Sequence, residues 1–297
     1  MLGSLNMDLV VTVDQAPQPG QTVTGERFFL VPGGKGANQA VAASLAGAPV
    51  TMLGSVGDDL YAAQILDLLA AKGVLTDHVD RSELATGTAH IVVDGSGSNS
   101  IIVIPGANGS ARKLSDRQRQ IIADSRFLLL QLELPLALVT RAATYARECG
   151  VQVVLTPAPV QPLPDELLKS VDLLILNQGE ALQLAGMSSI DAAIDALAES
   201  VREVIVTRGE QGCSYRGPAG PRDLEAFPVN AVDTTAAGDT FVGALSAQLA
   251  QGAAIGPAMR WASAAAAISV QRWGASTSMP LAAEVDGFLA ERRGGAQ

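Results

Sequence analysis

FLLLQLELPLALVTRAATYARECGVQVVL, from Phe127 to Leu155, reads as strand, helix, strand. Phe127 to Leu132 and Val151 to Leu155 are short unbroken apolar runs, while Leu136 to Cys149 carries its apolar residues at helical spacing. Unbroken runs mark strands covered on both faces, the habit of a parallel sheet. The same run recurs downstream as DLLIL (Asp172 to Leu176) and EVIVT (Glu203 to Thr207). Upstream, GANQAVAASLAG looks like a helix closed by Gly47, and Leu60 to Gly73 like a helix ending in a Lys-Gly stop. The alternation predicts an α/β fold with a central, mostly parallel sheet and helices on both faces. Neither repeats nor a low-complexity linker interrupts it, so residues 1–297 read as a single domain. Two regions depart from the pattern. Leu9 to Val31 is rich in β-branched residues and holds PGQTVTG (Pro19 to Gly25), a turn followed by strand-like residues. Thr88 to Pro105 reads as a hairpin, AHIVVD and IIVIP around the turn DGSGSNS.

Composition excludes several function classes. Lys plus Arg number 20 against 30 Asp plus Glu, a net charge of −10. That argues against a nucleic-acid or anionic-membrane partner. A phosphate ligand must then be met locally, by backbone N–H groups, a metal or a few cations. Cys149 and Cys213 are the only cysteines and have no metal-like spacing, so a reducing, cytoplasmic setting is expected. The sequence has no run of about 18 apolar residues and no leader-like pattern at its start, so neither a span nor a secretory signal is expected.

The chemistry concentrates in DTTAAGDTFVGAL, Asp233 to Leu245. Small residues at Ala236, Ala237 and Gly238 open a helix and leave backbone N–H groups uncovered at its positive end, which makes an anion site. Asp239 sets a carboxylate beside it. Such a group suits proton removal from a hydroxyl attacking a phosphate. Taken alone, the segment is equally readable as a helix with an acid in its first turn. PGGKGANQAVAA, Pro32 to Ala43, is a second glycine-rich turn entering a helix. Asn6 and Asp8, two apart, point the same way on an extended segment and together can grip two or more hydroxyls. Glu133, Asn177, Thr207 and Gly209 fall just past the ends of strand runs, the edge where open α/β sheets bind ligands. There is no GxxxxGK[ST] sequence, so no P-loop. His78 and His90 are isolated and read as structural or exposed.

GSLNMD (Gly3 to Asp8), PGQTVTG, GGKGAN (Gly33 to Asn38), NQGE (Asn177 to Glu180), TRGEQG (Thr207 to Gly212) and DTTAAGD (Asp233 to Asp239) follow one another in an order that resembles the ribokinase branch of the ribokinase-like (PfkB) sugar kinases. The resemblance spans nearly the whole chain. It implies a small β lid from about residues 9–33 and 88–105, which often mediates dimerisation. It implies ATP-dependent phosphorylation of D-ribose at O5, with Asp239 as general base and the N–H groups of Ala237, Gly238 and Asp239 as anion hole. Sugar contacts would come from Asn6, Asp8, Gly34, Lys35, Asn38 and Glu133, with Glu133 anchoring a hydroxyl or Lys35. The nucleotide would border Asn177, Thr207, Arg208, Gly209, Glu210, Gln211, Gly212, Gly238 and Ser263. Glu180, with Asn177, would organise Mg2+ through water. K+ would sit between Asp233 and Thr235 and a partner loop supplying Ser269, Arg272, Gly274 and Ser278.

The sequence departs from the family's usual pattern at Trp273, where a basic or small residue is more common, and at Ser263, where many relatives carry Asn. The alternatives are a kinase for another small sugar or nucleoside, such as deoxyribose or fructose, and a non-catalytic sugar sensor. Only Met1 and Leu2 precede GSLNMD, where relatives generally carry several apolar residues. A short apolar segment upstream is therefore expected.

Overall fold

The structure is a computed structural model that describes residues 1–96 and 99–294. Gly97 and Ser98, in the turn expected between the hairpin strands, lie outside it. The chain opens with β1 (Asn6–Thr12) and β2 (Arg27–Gly33), then α1 (Lys35–Leu45). Two short parallel pairs follow: β3 (Val50–Thr51) with β5 (Val74–Leu75), and β4 (Gly54–Val56) with β6 (Val79–Arg81), around α2 (Leu60–Ala71). The expected hairpin is β7 (Gly87–Val93) and β8 (Asn99–Ile104). A 3-10 turn (Gly106–Gly109) and α3 (Asp116–Ala123) lead into the alternating region: β9 (Phe127–Gln131), α4 (Leu136–Glu148), β10 (Gln152–Thr156), α5 (Asp165–Ser170), β11 (Leu173–Asn177), α6 (Gln178–Ala185), α7 (Ile190–Ser200) and β12 (Glu203–Thr207). The chain closes with β13 (Cys213–Arg216), β14 (Arg222–Leu224), α8 (Ala237–Ala250), α9 (Ile255–Ser269) and α10 (Ala282–Gly294).

The main sheet has the order β14-β13-β12-β11-β10-β9. Strands β9 to β12 are parallel, and β13 and β14 turn antiparallel at one edge. Beyond β9, Leu2 bridges both Leu130 and Leu53 in parallel fashion, so the first residues continue the sheet. Successive side chains on a strand face opposite ways, and the two cores divide accordingly. Leu129, Val154, Ile175 and Ile205 pack under α1, α8 and α9. Leu128, Leu130, Val153, Leu155, Leu174 and Val204 pack against α4, α5 and α7 on the other face. The sheet is covered on both sides, which is why its strands read as unbroken apolar runs.

A second sheet has the order β2-β1-β7-β8. It is built from the two segments that depart from the alternation, with one difference from the sequence reading. PGQTVTG is not followed directly by a strand: residues 21–25 take no regular structure, and pairing resumes at Arg27 opposite Thr12. Asp59 fixes the base of this sheet. Its carboxylate caps α2 through the Ala62 N–H (2.9 Å) and also accepts from the Thr86 N–H (2.8 Å), one residue before β7.

Helix α8 sits between α1 and α9. Its approach to α1 requires a glycine: a Cβ on Gly243 would fall 2.5 Å from the Gln39 carbonyl oxygen. That contact brings the N-terminal turn of α8 against the first turns of α1, where the sequence placed its sugar and phosphate residues.

Candidate active site

Asp239 stands in the first turn of α8 and is buried. Two amides from α1 hold its carboxylate: Gln39 Nε2 donates to Oδ1 (2.9 Å) and Asn38 Nδ2 to Oδ2 (3.2 Å). Gln39 is oriented in turn by Gln131 Nε2, which donates to its Oε1 (2.5 Å). Burial pushes the Asp239 carboxyl upward; Lys35 and the two amide donors pull it down, and the net shift is upward. Burial acts on Lys35 in the opposite sense, yet Asp239, Glu133, Glu180 and Asp8 outweigh it and its ammonium is raised above the ordinary lysine value. Four carboxylates therefore share one cation's field, which brings together residues spread over more than two hundred positions.

Glu133 meets Lys35 through the backbone. Its Oε2 accepts the Lys35 N–H (3.0 Å) and the Ser4 hydroxyl, and Ser4 Oγ also takes the Gly36 N–H (3.2 Å). A carboxylate at the positive end of α1 is favourable. Gly34, with φ at 91°, opens that helix, and a Cβ there would meet the Asn6 nitrogen at 2.9 Å. Asp8 is mostly buried beside Gly33, whose missing Cβ would lie 2.3 Å from Asp8 Oδ2. Asn38 keeps one buried acceptor, Oδ1, without a partner among the described residues. A ligand hydroxyl answers such an atom.

The turn before α8 carries an unusual conformation. Ala236 has φ of 57°, a left-handed value for a residue with a side chain, which costs about 1–3 kcal/mol and clusters at functional turns. The anion hole needs one correction. The Ala237 N–H donates to the Thr234 carbonyl (3.2 Å) because the turn folds back on itself. Among the described residues, the N–H groups of Gly238 and Asp239 have no such acceptor. Open space lies over Gly238, with nothing within 4 Å of where a Cβ would be.

A cavity of about 960 Å³ adjoins this turn. Of the residues expected to border a nucleotide, Thr207, Gly209, Glu210, Gln211, Gly212, Gly238 and Ser263 line it. Arg208 does not reach its wall; its backbone N–H bonds the Gly212 carbonyl (2.7 Å), and its Nε is buried without a partner among the described residues. Asn177 also lies off the wall. It forms a reciprocal cap with Glu180: Asn177 Oδ1 accepts the Glu180 N–H (2.9 Å), and Glu180 Oε2 the Asn177 N–H (2.8 Å). Glu180 Oε1 is free of hydrogen bonds among the described residues. Phe227, Pro228, Val229, Asn230 and Ala231 form a wall that sequence reasoning missed. The only signal was an apolar stretch just ahead of DTTAAGD.

Asp233 ties the turn to the loop after α9. Its Oδ1 accepts the Thr235 N–H and its Oδ2 the Gly274 N–H, both at 2.9 Å. Burial raises this carboxyl, but these bonds win and hold it below the ordinary range. The residues expected around K+ split by what their side chains already do. Ser269 and Ser278 hydroxyls bond the Ala266 and Ala275 carbonyls, and Arg272 pairs with Glu284 on α10. A guanidinium has no acceptor, so Arg272 can offer only its carbonyl, in keeping with the carbonyl set expected there. Ser276, which was not expected, has a buried hydroxyl without a partner among the described residues. An oxygen-only set of this kind fits a large monovalent cation.

The profile described as pfkB family carbohydrate kinase matches residues 1–282. The chain belongs to that family. It is 41% identical to a ribokinase of Bacillus subtilis over 293 residues, covering 97% of this chain and 98% of the relative. It is 40% identical to a ribokinase of Haemophilus influenzae over 297 residues, covering 97% of each. A ribokinase of Arabidopsis thaliana, solved with ribose and ATP, superposes with a TM-score of 0.92 at 32% identity and 97% coverage of both chains. The kinase thus has the family's fold over 97% of its chain, and among its described residues no helix is long and apolar enough to cross a membrane.

Proposed function

We propose that this kinase transfers the γ-phosphoryl group of ATP to O5 of D-ribose, giving ribose 5-phosphate. The observation that carries the reading is Asp239: a buried carboxylate, held by two amides, at the boundary between the polar cluster of α1 and the large cavity. Phosphoryl transfer asks the protein mainly for positioning and charge stabilisation. Asp239 takes the proton from the attacking hydroxyl, and its raised carboxyl is better matched to that task than an ordinary one. The Gly238 and Asp239 N–H groups meet the charge that develops on the phosphoryl oxygens, and the Lys35 ammonium adds to it. Asn6, Asp8, Gly34 and Asn38 grip the sugar, with the unpaired Asn38 Oδ1 receiving one of its hydroxyls.

The donor sets also suit two ions. Mg2+, when bound, neutralises the phosphate oxygens, and Glu180 Oε1 would hold it through water. K+ would lie among Asp233, Thr235 and the carbonyls of the Arg272 and Gly274 loop, with Ser276 as a further oxygen. The exposed apolar residues of the small sheet, Phe28, Phe29, Ile101 and Ile102 among them, support a homodimer joined through the lids. The low cysteine content and acidic charge support a cytoplasmic setting.

The test is a panel of ribose, 2-deoxyribose, fructose and ribonucleosides with ATP, Mg2+ and K+, read by ADP release. Ribose is expected to give the highest kcat/KM. A clear preference for another sugar would overturn the substrate assignment.

A further inference from the structure

Asn108 belongs to no segment that the family likeness singled out, yet it is among the most deeply buried polar residues, 1% exposed. It lies in the 3-10 turn after β8. Its carboxamide straddles the backbone of Leu5: the Leu5 N–H donates to Oδ1 (3.0 Å), and Nδ2 donates to the Leu5 carbonyl (3.1 Å). A backbone N–H can only donate and a carbonyl can only accept, so this pair settles which end of Asn108 is nitrogen. The second hydrogen of that Nδ2 goes to Asn6 Oδ1, 2.7 Å away. Asn6 must therefore turn its oxygen toward Asn108. Its own NH2 has no acceptor among the described residues and is the end left for a ligand. Gly87, at the start of β7, makes room for this: a Cβ there would fall 2.4 Å from both Asn108 Nδ2 and Asn6 Oδ1.

We infer that Asn108 is a positioning residue of the sugar site, locking the Asn6 amide so that it offers a donor, and not an acceptor, to a sugar hydroxyl. The inference rests on the ribose reading above. A hydroxyl whose oxygen accepts from Asn6 still has a proton to give, and Asp8, two residues along the same side of β1, provides the acceptor. A donor at one position and an acceptor at the next match a hydroxyl-bearing ring edge. A sugar lacking that hydroxyl leaves the NH2 desolvated and unpaired, and sites built this way reject such analogues strongly. Asn108 thus controls substrate choice without touching substrate.

A double-mutant cycle tests this on the full chain, with Asn108→Asp, Asn6→Ala and the pair. Aspartate keeps the shape but sets oxygen against two oxygens that need a donor. Either single change is expected to raise KM for ribose roughly tenfold, the worth of one hydrogen bond, with KM for ATP within about twofold. The pair is expected to be no worse than Asn6→Ala alone, and the preference for ribose over 2-deoxyribose should collapse equally in all three. Additive losses, or an equal rise in KM for ATP, would overturn the assignment. A second readout does not depend on the variants folding. In the wild-type protein, the Asn6 side-chain amide resonances should shift on adding ribose, while those of Asn108 are already protected from exchange without sugar. Rapid exchange at Asn108 would contradict the lock. If the wild-type enzyme does not use ribose, the substrate reading fails separately, and the cycle is then measured on the sugar it does phosphorylate.

Discussion

Asp8 and Asp239 are both carboxylates withdrawn from water, but they are supported differently. Asp239 receives two amide donors. Asp8 receives no side-chain hydrogen bond among the described residues, and burial, then Glu133 and Asp239, push it from 3.8 up to about 7 against the pull of Lys35. A carboxyl raised in the fold binds its proton more tightly there than in the unfolded chain. Its contribution to stability is fully present below the unfolded value and is lost as pH rises through about 7. Two outcomes follow. Asp8→Asn should raise the Tm of the sugar-free protein at pH 8 and change it little at pH 4. The same substitution should weaken ribose binding far more than ATP binding, and wild-type ribose affinity should improve between pH 6 and 8 as Asp8 ionises. Calorimetry across that range checks both; a pH-independent ribose affinity would place Asp8 outside the sugar site. At this scale the sequence was legible where a residue lies in a local motif, as Asn6, Asp8, Lys35 and Asp239 do. It was silent on Ser4, Gln39, Gln131 and Asn108, because each works on a side chain or backbone group brought to it from far along the chain.

At the scale of elements, the strands of the main sheet were readable because burial on both faces leaves an unbroken apolar run. The small sheet was harder. Its edge strands β2 and β8 are largely exposed on both faces: Phe28 at 58% and Ile102 at 68% are extreme for such side chains. Without a one-sided core, nothing in the pattern marks where a strand starts, so the strand expected after PGQTVTG begins only at Arg27. Exposed apolar edges of this kind invite pairing. The protein is expected to run as a dimer by light scattering at micromolar concentration, and Ile102→Glu with Phe28→Glu to yield a folded monomer. A wild-type monomer would contradict the lid contact. The cation loop belongs to the same scale. Asp233 joins the turn before α8 to the loop after α9 by accepting the Gly274 N–H, and that turn carries the proposed anion hole. Replacing K+ by Na+ or a bulky organic cation should lower kcat with little change in KM for ribose, and Asp233→Ala should remove that response. An unchanged rate after rigorous K+ removal would count against the loop.

At the scale of the molecule, two apolar cores hold the main sheet between helical layers, and one close contact sets the chemistry. Gly243 lets α8 lie against α1, and that packing delivers Asp239 to Asn38 and Gln39 while the preceding turn faces the large cavity. The α/β class was legible in the sequence, since the strand and helix patterns alternate along the chain. The helix contact was not, since a glycine inside a helix has no local meaning. The account stands on Asp239 as the general base. Asp239→Asn keeps shape and burial but cannot take the proton. The decisive measurement is kcat of this variant with ribose and ATP, alongside ribose binding by calorimetry. The account expects a loss of ~10²–10⁴ in kcat, with binding and Tm close to wild type. Turnover within about threefold of the wild type would contradict it.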